Sequence, residues 1–130
     1  MKAGTIHILD LDFEFKLWKN RLYHFQSELE IIFSRIFVLT REHPAYKLPD
    51  IKLLLLNDQK ERARYLLNKI ENLEQEMSLY AEDYPINEKH IHYISHEAIR
   101  KEMAELDGKQ QEIINIVISE LCYPKVSGKL

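Results

Sequence analysis

The stretch HIHYISHE, His90 to Glu97, gathers three of the six histidines of this 130-residue chain. Placed on a helix, His92 and His96 fall four residues apart on one face, a metal-ligand spacing that still needs a third and a fourth ligand. Glu14 is the first candidate for the third position, followed by Asp12 and Tyr80. A divalent transition metal held by His92, His96 and Glu14 is therefore one chemistry the pattern allows. The other is polar closure of an apolar core, each imidazole half-buried and hydrogen-bonded to Glu14, Tyr80 or water. The second reading is favoured. HExxH is absent, and no ExxH pair recurs on two helices as di-iron bundles require. Packed neutral among Phe15, Trp18 and Met77, the two histidines would make the fold acid-sensitive, whereas pairing as cations with Glu14 would reverse the sign.

Other chemistry is thin. GxGxxG, GxxxxGK[ST] and GxSxG are all missing, and three glycines leave little for a phosphate-cradling loop. The single cysteine, Cys122, closes an apolar stretch and reads as a small buried hydrophobe, so no catalytic residue is assigned and no resident cofactor is expected. A net charge of −3 with interspersed signs offers no basic surface for nucleic acid. One cysteine, no opening basic and apolar leader, and no apolar run of membrane length lead to the expectation of a cytoplasmic chain for which a membrane is an unlikely partner.

The elements that would position His92 and His96 follow from periodicity. Two breaks, REHPAYKLPD at residues 41–50 and DYPIN at 83–87, predict helices over about 10–42, 50–83 and 87–123, with Asp50 and Asn87 as caps and a frayed tail over 124–130. The first segment carries a wholly apolar heptad seam, with Phe15, Leu22, Leu29 and Ile36 alternating with Leu11, Trp18, Phe25, Ile32 and Leu39. Beside it runs a charge ladder of Glu14, Arg21, Glu28 and Arg35, expected to form exposed interhelical ion pairs. The second seam is Leu56, Gln59, Ala63, Leu66, Ile70, Leu73, Met77 and Tyr80; the third runs from His92 and His96 through Ile99, Met103, Leu106, Gln110, Ile113 and Val117 to Glu120. The predicted fold is all-α, an antiparallel up-down-up three-helix bundle with coiled-coil-like heptad packing, forming one domain over residues 1–130. Gly108 predicts a local bend in the third helix.

Hairpin geometry sets the layers. Leu11, Phe15 and Trp18 should meet Met77, Tyr80, His92 and His96 at one end, and Gln59 and Gln110 should face each other beside Ile32 at mid-height. At the far end, apolar residues exceed what three stripes can cover. Phe33, Phe37, Val38, Leu53, Leu54, Ile114 and Ile118 are assigned there to an interface, filled by a second copy of the chain or by another protein.

The stretches DLDFEFKLWKNRLYHFQSELEI and HYISHEAIRKEM resemble a group of small uncharacterised bacterial helical-bundle proteins. In these a long amphipathic first helix bearing a Trp precedes a third helix with HxxxHxxxR. The resemblance brings no activity with it, but it draws interest to His92, His96 and Arg100. The expected function is a non-enzymatic helical interaction module that self-associates through its apolar end, with metal binding by His92 and His96 as the alternative.

Overall fold

A computed structural model describes residues 6–45 and 48–122, the last two by backbone alone. The expected tail lies outside these residues. The element order is β1 (Ile6–His7), α1 (Ile8–Glu42), α2 (Asp50–Met77), β2 (Pro85–Ile86) and α3 (Ile91–Cys122). The three helices pack on one another as an all-α bundle.

Ion pairs and hydrogen bonds give the directions. Lys16 and Lys19 near the start of α1 reach Glu74 near the end of α2, while Glu30 further along α1 reaches the earlier Lys60, so these two helices run antiparallel. Lys52, Arg62 and Lys69 of α2 pair with Glu120, Glu105 and Glu102 of α3 in the same descending order, whereas Glu14 with Arg100 and Glu28 with Gln110 ascend together, so α1 and α3 are parallel.

The heptad seams are the buried faces. Phe15, Leu22, Leu56, Leu66, Ile70 and Ile99 are among the most fully enclosed side chains, each stabilising the fold by about 1.5–3 kcal/mol relative to exposure. Ile36, Leu73, Tyr80 and Glu120 on the same seams are only half-buried. The core forms two clusters. One runs from Ile8, Leu11 and Phe15 to Phe25, Ala63 and Leu106; the other holds Leu29, Ile32, Leu39, Leu48, Leu56, Ile113 and Val117. Between them lie Gln59 and Gln110.

The helix ends depart from expectation around the second connection. α2 stops at Met77 rather than near residue 83, and α3 starts at Ile91 rather than 87. The reason is nonlocal. The connecting strand β2 pairs antiparallel with β1, and the carbonyls of Glu82 and Tyr84 accept hydrogen bonds from the Leu9 and Ile8 N–H groups, 3.0 and 3.1 Å. These amides open α1 and have no partner within it. Asn87 forms a turn instead of a cap, its side-chain oxygen accepting from the Lys89 N–H at 2.8 Å. At the first connection Pro49 is the capping residue and Asp50 the first residue of α2. α1 begins two residues earlier than expected, with Asp10 Oδ2 accepting the His7 N–H at 3.0 Å. Gly108 sits within continuous helix α3, with open space where a Cβ would stand.

Candidate functional site

The N-terminal two turns of α3 hold the histidine cluster. His90 caps the helix: its Nδ1 accepts the His92 N–H at 3.1 Å, satisfying an amide that has no partner within the helix. An imidazole nitrogen that accepts carries no proton, so the cap requires neutral His90. His92, buried, sets its ring edge-on to Tyr80 at 5.2 Å and lies 5.4 Å from the His90 ring. Tyr84 stacks against Tyr80 at 4.8 Å, completing an aromatic knot between the second connection and α3.

His96, one turn on, is 0% exposed. Its ring lies 4.7 Å from the indole of Trp18, nearly parallel to it, and 4.8 Å from Phe15. Its Nε2 stands 3.3 Å from Glu14 Oε1 and the Leu11 carbonyl is within reach of the ring, but neither ring nitrogen makes a well-aligned hydrogen bond. Glu14 is committed elsewhere. Arg100 grips it in a bidentate pair, Nη1 to Oε2 and Nη2 to Oε1, each 2.8 Å, while its Nε donates to Glu97 at 3.2 Å and its guanidinium lies 5.7 Å from the Trp18 ring. That two-pronged geometry is the strong form of a carboxylate pair.

The electrostatics follow. Burial, the largest effect, holds the His96 imidazole below its ordinary value; Glu14 opposes this, Arg100 adds to it, and Glu97 opposes it. His92 is lowered by burial and by neighbouring His90, against the pull of Glu76. Burial works against the Arg100 charge, but Glu14 and Glu97 outweigh it and raise that group further.

His96 and Glu14 are thus brought together, as the sequence suggested, but His92 turns to Tyr80 instead. Among the described residues no three His, Cys, Asp or Glu side chains group in a way that could hold a metal ion. Asp12 pairs with Lys16 at 2.8 Å, and the Tyr80 ring packs on His90 and His92. With its ring wholly enclosed, His96 reaches no substrate unless α3 moves. The other polar insertion is also placed as expected: Gln59 Nε2 donates to Gln110 Oε1 at 2.9 Å and to the Leu106 carbonyl at 3.0 Å. Gln110 Nε2 in turn donates to the Phe25 carbonyl at 3.2 Å and Glu28 Oε1 at 3.0 Å, which sets its α1 neighbours just before Ile32.

At the far end, Phe33, Leu53 and Ile114 pack half-buried against the second core cluster, and Val38 is also half-buried. Phe37 is 64% exposed beneath the Arg41 guanidinium, and Leu54 and Ile118 are exposed beside further exposed residues Ile31, Ile51 and Ile116. Sequence reasoning missed a second exposed apolar group at the histidine end: Leu9, Phe13 and Leu17 on α1, with Leu79, Ile91 and Ile94. The four-residue spacing of Leu9, Phe13 and Leu17 was the available signal. Also missed was His90 as a cap, although a residue able to accept a hydrogen bond just before an apolar-periodic stretch is such a cue. A groove between α1 and α2 is lined by Ile8, Asp12, Lys16, Glu74 and Met77; Lys16 pairs with Asp12 along α1 and with Glu74 across the groove.

Comparison of the chain with protein-family profiles, with curated proteins and with solved structures finds no match. The resemblance to small bacterial helical bundles therefore rests on the two quoted stretches alone.

Proposed function

We propose that this protein is a non-enzymatic helical interaction module that associates with a second copy of itself through the end opposite the histidines. The observation that carries the reading is the apolar excess on all three helices at that end: Phe33, Leu53 and Ile114 half-buried on one core cluster, with Val38 half-buried and Phe37, Leu54 and Ile118 exposed on the same segments. Soluble monomers rarely leave extended apolar patches wet, and burying about 800 Å² per partner makes an ordinary specific interface. Phe33 and Phe37 are natural anchors, since aromatic residues concentrate binding energy at interfaces. Among the described residues no helix is long and apolar enough to cross a membrane, and with the interspersed charge this supports a cytoplasmic setting and a protein partner.

Sedimentation velocity at micromolar concentration tests the reading. A dimer or larger species is expected, reduced to a smaller, folded one by F33E together with F37E, while F13E at the other end leaves the assembly unchanged. A parent chain that sediments as a monomer throughout, or an assembly lost only with F13E, overturns it.

A further inference from the structure

The two nitrogens of His96 make no well-aligned hydrogen bond, in a bundle whose other buried polar pair, Gln59 and Gln110, is bonded to itself and to both neighbouring helices. Buried polar groups are almost always satisfied, so an exception calls for a physical account. Here the nearest acceptor is shared: Glu14 lies 3.3 Å from His96, and each of its oxygens already accepts one hydrogen bond from Arg100. The charged groups acting on the ring come from α1 (Glu14) and from α3 itself (Arg100 and Glu97); among the described residues α2 adds none. Around His92 the corresponding groups are His90 and, from α2, Glu76.

We propose that residues 90–96 form an acid-released latch on α1. With His92 and His96 neutral the segment is closed, and protonation frees the first two turns of α3 from Phe15 and Trp18, because the new charge on His96 stands in a wholly enclosed site where Glu14 has to answer both it and Arg100. Geometry makes the histidines one unit: the His90 ring caps the helix at the His92 N–H and lies 5.4 Å from the His92 ring, and a charge on His96 would be wholly enclosed. The His92 charge would also sit in the first turn of α3, where the helix dipole disfavours cations. The sign is consistent. Since the folded His92 and His96 lie below the ordinary histidine value, the unfolded chain binds protons first as pH falls, and stability drops from about 6.5 downward until the folded groups have titrated.

Trp18, the chain's single tryptophan, stacks on His96 and reports its release. The test follows Trp18 emission and the His96 ring resonances of the full chain from pH 7.5 to 5, with EDTA present throughout. The parent should show a red shift of Trp18 with a midpoint below 6.5, absent in H96L. In R100Q, where Glu14 is free to receive the imidazolium, the His96 ring midpoint should rise by about one unit or more and Trp18 should stay buried. A parent His96 that titrates at or above 6.5, or Trp18 emission unchanged down to pH 5, overturns the latch. So does an R100Q midpoint equal to the parent's. Should H96L or R100Q fail to fold, the parent's ring titration and Trp18 emission still decide.

Discussion

Among the described residues, Gln59 and Gln110 at mid-height and His92 and His96 at one end are the buried polar side chains, and the two sets are accommodated in opposite ways. The amides answer each other and reach a backbone carbonyl on each flanking helix, so their cost of burial is offset whatever the pH. The imidazoles rely on aromatic neighbours, with His92 Nδ1 and both His96 nitrogens lacking a partner. A satisfied polar layer fixes register, because sliding a helix breaks all its bonds at once. An unsatisfied titratable one makes an end whose stability depends on its protonation state.

Replacements separate the two regions by size of effect. Phe15→Ala, which removes the fully buried ring against His96, is expected to cost about 3–5 kcal/mol in chemical denaturation, the largest loss among the changes considered. Gln59→Leu alone should cost about 1–3 kcal/mol by stranding the Gln110 carbonyl, and adding Gln110→Leu should recover much of it. A double-mutant cycle with additive effects would show that the glutamines do not act as a pair. Gly108→Ala should gain about 1 kcal/mol in thermal unfolding, since the position is helical and a methyl group meets open space. Arg62→Ala, at an exposed pair with Glu105, should change stability by no more than about 1 kcal/mol.

The sequence made the middle of each helix readable and the ends less so. Every seam residue from Leu11 to Ile32 on α1 is buried, as is the glutamine pair, because a helix of known phase leaves its apolar face one place to go. The charge ladder was expected to make exposed interhelical ion pairs; Glu14 makes one with Arg100 of α3, while Glu28 reaches the amide of Gln110 instead. The end of α2 could not be read from its own residues. Tyr80 continues the heptad, yet the chain leaves the helix because the amides of Ile8 and Leu9, some seventy residues earlier in the chain, take their acceptors from the connection. For the histidines, spacing showed that His92 and His96 share a face. It could not show that Arg100 would share Glu14, a contact 86 residues apart, nor that the His96 ring would be wholly enclosed, which is the largest influence on its protonation.

The contrast between the two polar pairs is tested most directly by backbone amide exchange followed in one sample as pH is lowered from 7.5 to 5, with intrinsic rates divided out. Protection of residues 93–96, in the first turns of α3, should fall at least tenfold while that of residues 107–113 around Gln110 changes little. Equal loss of protection in both segments, or none in either, would contradict the claim that the histidine end opens on its own.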